Sequence, residues 1–324
     1  MCSMLKHGVL LISLDFELYW GVRDSRNLMD YKKNLEGAHD AVDAMLQIFS
    51  DYQVRATWAA VGFLFFSDRE GLLANYPINI PQYVDVGLSP YNYITNQAEL
   101  SNIHHFAPEL IGEIAKTSGQ EIATHTFSHY YCLEDGQTYD DFVEDITLAL
   151  SIAKRSGVTI KTIIFPRNQI RLDYLPVLYK LGIICYRGNE HGWLYSSADQ
   201  KSIGFARRLL RLFDSYINLS GHNLFDLSDS VPNLPINLPS SSFFRPYNQR
   251  LKWFERYKIN RIKKSMLNAA INKKVFHLWW HPHNFGVSTK ENMEQLDEVL
   301  QYYTKLHKEY GMVSLNMSDL VNDY

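Results

Sequence analysis

The chain has 324 residues, 46% hydrophobic and 21% charged, with a formal net charge of −3. A sizeable core is easily built at this length, as one large barrel or as two domains, and the lack of a basic excess argues against nucleic acid as the main partner. Three cysteines, Cys2, Cys132 and Cys185, contain no C-x-x-C pair, so they read as thiols of a reducing compartment rather than a disulfide framework.

The N-terminal apolar run Val9–Ile12 is too short for a signal segment, and no stretch reaches the roughly 18 apolar residues that span a bilayer. The expectation is a cytoplasmic protein, with peripheral membrane contact left open and no prediction of oligomeric state. Tyrosine is abundant, at 21 residues, which suits sugar-binding surfaces and equally suits strands.

Gly8–Leu14 is a continuous apolar run of the kind buried on both faces of a parallel sheet. It ends in Asp15-Phe16-Glu17, two carboxylates that point the same way if the strand continues. An amphipathic helix over Gly37–Tyr52 and a buried strand over Arg55–Val61 follow, and β-α-β order signals a parallel sheet. Residues 71–106 have no clear period and carry Pro77, Pro81 and Pro90; they read as a long ordered loop over the barrel mouth, with His104 and His105 at its surface. Pro108–Thr117 is a helix opened by proline.

Gln120–Cys132 is the stretch around which the chain is organised. Glu121–Thr124 reads as a short buried strand, and it delivers His125 and His129. On a helical turn, residues with that spacing lie on one face, roughly 5–6 Å apart at Cβ, close enough to share a metal ion. Cys132 reads as a buried free thiol rather than a further ligand. Helix Tyr139–Ser156, strand Lys161–Phe165, helix Leu172–Leu181 and strand Ile183–Tyr186 continue the alternation.

Residues 197–274 read as an irregular, helical insertion whose basic stretches, Arg207–Arg211 and Lys252–Lys264, are solvated helix faces; contact with an anionic substrate is the sharper alternative. Strand Val275–Trp280 ends in His281-Pro282-His283, and helix Glu291–Lys308 and strand Met312–Leu315 close the chain.

Several strands thus present titratable groups at their C-terminal ends, which meet on one face of an α/β barrel. Two imidazoles and a carboxylate form a divalent-metal set with open positions, a second carboxylate can act as base, a histidine as acid, and an arginine can hold the base ionised. This is the inventory for metal-assisted hydrolysis of an amide or ester.

The segments Ser13–Glu17 (SLDFE), His125–His129 (HTFSH), Phe165–Asn168 (FPRN), Arg187–Trp193 and Leu278–Pro282 (LWWHP), in this order, resemble the NodB-type polysaccharide deacetylases, carbohydrate esterase family four in the broad sense. The resemblance covers most of the chain. It implies one domain over residues 1–324, folded as an incomplete or distorted (β/α)7-type barrel, and removal of acetyl groups from N-acetylated sugars.

Position by position, it implies Asp15 as base, Glu17, His125 and His129 as metal ligands, Arg167 orienting Asp15, and His281, in preference to His283, as general acid. Trp193 would line the acetyl pocket, with Asn168, Trp280 and His283 toward the substrate. The first motif carries Asp15 and Glu17 around Phe16 instead of adjacent aspartates, and Glu190 is the candidate for the fourth-motif acid. The expected cofactor is one divalent ion, zinc by default, with cobalt, nickel or manganese as alternatives. Two rival readings are a C–N hydrolase for a small non-glycan amide and an inactive carbohydrate-binding barrel.

Overall fold

The computed structural model describes residues 5–190, 205–227 and 231–323. Among the described residues, nine strands form one parallel sheet: β1 (Val9–Phe16), β2 (Ala56–Ala60), β3 (Gln120–Thr124), β4 (Thr162–Ile163), β5 (Cys185–Tyr186), β6 (Ile236–Asn237), β7 (Ser242–Phe243), β8 (Val275–Trp280) and β9 (Val313–Leu315). The order is β6-β5-β4-β3-β2-β1-β8-β7, with β9 beside the first half of β1. The sheet curls into an incomplete (β/α) barrel.

Strand periodicity explains both the core and the site. Leu10, Ile12, Leu14 and Phe16 of β1 point outward into a cluster shared with the surrounding helices. Val9 and Leu11 point inward and meet Ala59, Ala123, Ile164, Cys185, Leu238 and Val275 from the other strands. The inward register continues through Ser13 and Asp15 to Glu17. Along β1 the inward face is therefore apolar at its N-terminal end and becomes polar toward its C-terminal end.

Helices cover the outside. Helix Leu28–Asp51 starts earlier than the sequence reading, because Asn27 accepts a hydrogen bond from the Met29 amide as N-cap. Its inner stripe includes Leu35, Ala38, Val42, Met45 and Phe49. At Gly37 a Cβ would lie 2.0 Å from the Gly286 carbonyl oxygen. That contact lets the helix press directly on the segment that follows His281.

Three expectations change. Residues 71–106 are not a structureless loop: they include helices Pro90–Asn96 and Asn102–His105, and His104 and His105 are buried. Tyr93 and the Ser101 carbonyl hold the two nitrogens of His105, and burial pushes its pKa down to about 4. The segment 197–274, expected to be irregular and helical, also supplies the strands β6 and β7 to the barrel. Within helix Glu255–Asn272, Lys258 and Arg261 are buried rather than solvated. Lys258 pairs with Glu255 at 2.5 Å and Arg261 with Asp214 at 2.8 Å.

Candidate active site

The segment after β3 does not form the helical turn expected of H-x-x-x-H. Thr126 (φ 64°) and His129 (φ 58°) lie in the left-handed region, a conformation that costs a non-glycine residue energy and clusters at functional sites. Two contacts hold it. The Thr126 hydroxyl accepts from the Tyr130 amide at 2.7 Å. Asp145, delivered by helix Tyr139–Arg155 with its Thr138/Asp141 capping box, accepts from the Phe127 amide, the Ser128 amide and the Ser128 hydroxyl.

The turn folds both imidazoles onto Glu17. Nε2 of His125 and Nε2 of His129 lie 3.2 and 3.1 Å from the same Glu17 Oε2. Only His129 is aligned for a hydrogen bond; His125 Nε2 is buried with no aligned partner. One donor atom from each residue falls within 4.8 Å of the others. Burial drives the His129 pKa down, against the pull of Glu17, favouring the neutral ring that ligates metals. Burial opposes ionisation of Glu17 too, but His281, His125 and His129 together hold its carboxyl well below the usual range. A carboxylate and two imidazoles whose Nε2 atoms converge on one oxygen, that of His125 without an aligned partner, fit a divalent cation.

Asp15 stands beside this group, and its partner differs from the expected one. Arg187, directly after β5, is fully buried and grips Asp15 with both terminal nitrogens, at 2.6 and 2.7 Å. Burial raises the Asp15 pKa; Arg187 and, less strongly, His125 more than offset it, so the carboxyl sits below its ordinary value. Arg187 also bonds Ser13 Oγ at 3.1 Å and Asn168 Oδ1 at 2.9 Å, and stacks 4.2 Å from the Trp279 ring.

Arg167 does not orient Asp15. It sits in a left-handed turn (φ 54°), pairs with Asp24 and lies over the Tyr131 ring. Asn168, half-buried, accepts a hydrogen bond from Arg187 through its side-chain oxygen.

His281 completes the cluster. Its Nε2 lies 3.7 Å from Asp15 Oδ2 and 3.5 Å from Glu17 Oε1. Its side chain is 22% exposed where those of His125, His129, Asp15 and Glu17 are 5% or less, so it is the open member of the group. His283 is buried behind it, ring centroids 5.1 Å apart, and burial lowers its pKa to about 3.

Trp280 is on the wrong face to touch a substrate. It is fully buried against Phe49, Phe244 and Phe285. Trp279, one residue earlier, faces the site and donates to Glu190 at 3.3 Å. Trp193 lies outside the described residues.

Sequence reasoning missed Arg187 and His277. The strand-end rule that singled out Arg167 applies one strand later to Arg187. His277, inward on β8, bonds Ser13 Oγ at 2.8 Å, and burial lowers its pKa to about 3.

No sequence-family model and no curated protein matches the chain. Solved structures do. A protein of Mycobacterium smegmatis assigned as a polysaccharide deacetylase superimposes with a TM-score of 0.61 at 12% identity, covering 97% of this chain and 89% of that one. This chain has the polysaccharide deacetylase fold. An allantoinase (TM-score 0.56, 11% identity, coverage 97% and 89%) shares it. So does a 4-alpha-glucanotransferase from Thermococcus litoralis (TM-score 0.56, 11% identity), matched over 99% of this chain and 41% of that one. A fold shared by such different enzymes leaves the chemistry to the site.

Proposed function

We propose that this protein is a metal-dependent hydrolase that removes an N-acetyl group from an amino sugar in surface-polysaccharide or glycolipid synthesis, releasing acetate. The observation that carries the reading is the Arg187-bound Asp15 beside the Glu17, His125 and His129 cluster, with His281 facing both carboxylates from the open side.

Glu17, His125 and His129 would hold one divalent cation, zinc by default, with cobalt, nickel or manganese able to substitute. Such an ion supplies a Lewis acid and lowers the pKa of water. Asp15, kept ionised by Arg187, takes the proton of the water that attacks the acetamide carbonyl. His281 gives a proton to the departing sugar amine, so the products are acetate and a free amino sugar. Arg187 acts through Asp15, and Asn168 through Arg187. Trp279 and Trp193 would line the acetyl pocket, and His283 backs His281.

A cytoplasmic, lipid-linked or nucleotide-linked sugar is the favoured substrate. The shared fold with an allantoinase favours one rival, hydrolysis of a small amide C–N bond. A panel of nucleotide-linked and lipid-linked N-acetyl sugars and exported polymer assayed for acetate, with small cyclic amides assayed for the ring-opened acid, separates them. Acetate from the precursors is expected. Activity confined to polymer would overturn the precursor assignment, and activity confined to cyclic amides would favour the rival.

A further inference from the structure

We propose that the turn entering helix Glu255–Asn272 docks the protein on an anionic membrane surface. Trp253 is 76% exposed, Phe254 54% and Tyr257 45%. Arg250, Lys252 and Arg256 are exposed among them. Lys252 lies 5.1 Å from the Trp253 ring and Arg256 5.0 Å from that of Tyr257, while the Phe254 and Tyr257 rings are 6.4 Å apart. The hydroxyl of Tyr216 donates to Glu255 at 3.0 Å, which brings in a second turn carrying exposed Ile217 and Leu219.

Scattered apolar residues on a surface need no explanation, but a contiguous patch does. Residues 205–264 hold eleven Lys and Arg against four Asp and Glu in a chain whose net charge is −3. Of these cations, Lys258 and Arg261 are consumed by the buried pairs with Glu255 and Asp214, whereas Arg250, Lys252 and Arg256 are presented outward. Amphipathic aromatics ringed by Lys and Arg are the side chains that settle at a lipid headgroup layer, and the basic groups complement an anionic leaflet. A second copy of the chain is a poorer occupant: a two-fold interface would set these cations against their own copies.

A chain of contacts links the helix that carries the patch to the site. Lys258 donates to the Arg245 carbonyl at 2.8 Å, Arg245 lies 5.8 Å from the Phe243 ring, and Phe243 lies 5.8 Å from His281. Docking here would hold the open side of the cluster near the bilayer, where a lipid-linked sugar would be reached. That last consequence rests on the function proposed above; the docking does not.

The test is co-sedimentation of the full chain with phosphatidylcholine vesicles, with and without phosphatidylglycerol, at low and high salt. Binding only to the anionic vesicles is expected, weakening with salt and falling about fivefold for each cation removed across Arg250→Gln, Lys252→Gln and Arg256→Gln. Trp253→Ser with Phe254→Ser should abolish it. Unchanged thermal unfolding of these variants keeps the comparison free of folding defects.

Absence of binding at low salt, or binding that all variants retain, would overturn the proposal. So would a dimer in light scattering that the Trp253 and Phe254 variant loses, which would make the patch a self-association surface. Because the readout is sedimentation, its failure is separate from failure of the deacetylase reading, which acetate release from a soluble substrate tests.

Discussion

Arg187 and Asp15 meet through two parallel hydrogen bonds of 2.6 and 2.7 Å, with both side chains buried. A bidentate guanidinium–carboxylate pair fixes orientation as well as charge. Removing one partner of a buried pair leaves an uncompensated charge, at a cost of about 3–5 kcal/mol. Arg187→Met should lower the unfolding midpoint accordingly. The Asp15 pKa is depressed in the folded state, so the pair's stabilisation is present above the unfolded carboxylate value and lost as pH falls through the folded one. Without Arg187, burial dominates and the Asp15 pKa rises. The acidic limb of the acetate-release profile should therefore move to higher pH, and an unmoved limb would remove Arg187 from this role.

Gly21 tests the ligand cluster without deleting a ligand. A Cβ placed there would lie 1.9 Å from the Glu17 carboxyl carbon. Gly21→Ala should displace that carboxylate and weaken divalent-metal affinity by about 10- to 100-fold. Metal titration followed by calorimetry reads this directly.

Asp145 fixes the turn that carries both histidines. Asp145→Ala strips partners from two backbone amides and a hydroxyl in the interior, which should cost about 3 kcal/mol or more. Burial raises the Asp145 pKa to about 7 despite these donors. Between the unfolded carboxylate value and about 7 the folded state holds the extra proton, so stability should fall as pH rises through that window. Asp145→Asn should flatten the slope in denaturant melts across the same range.

The two tryptophans of β8 should behave differently. Trp280→Ala empties a core position among Phe49, Phe244 and Phe285, with a stability cost of about 3–5 kcal/mol. Trp279→Ala removes the ring stacked on Arg187. It should cost less in chemical denaturation and more in kcat.

These contrasts show which parts of the site a sequence exposes. The buried runs of β1, β2 and β8 declare a parallel sheet because long apolar stretches have few other uses, and they place Asp15, Glu17 and His281 at strand ends. Spacing also pairs His125 with His129, although the reason differs. The two rings converge through left-handed residues pinned by Thr126 and Asp145, not through a helical turn. Nothing in a spacing reveals which turn a distant carboxylate will select.

Arg187 was hidden for a related reason. Phe165-Pro166-Arg167-Asn168 advertises an arginine at a strand end, yet its backbone turns the side chain toward Asp24 while the next strand supplies the partner of Asp15. At β8 the alternation of faces was readable, since His277 and His281 share a parity with Trp279 and not with Trp280. Arg261 looked solvated because its acid, Asp214, lies in another helix; Lys258 pairs with Glu255, three residues before it in the same helix, the lone acid of a basic run. Pairings across the chain are what local composition leaves out.

Glu17, His125 and His129 should hold the ion on which acetate release depends. This is tested by measuring metal content by mass spectrometry in the wild-type protein and in His125→Ala, with acetate release assayed on the same samples. A single divalent ion per chain, lost together with activity in the variant, is the expected result. Acetate release undiminished in metal-free protein, or failure of the wild type to take up added zinc or cobalt, would contradict it.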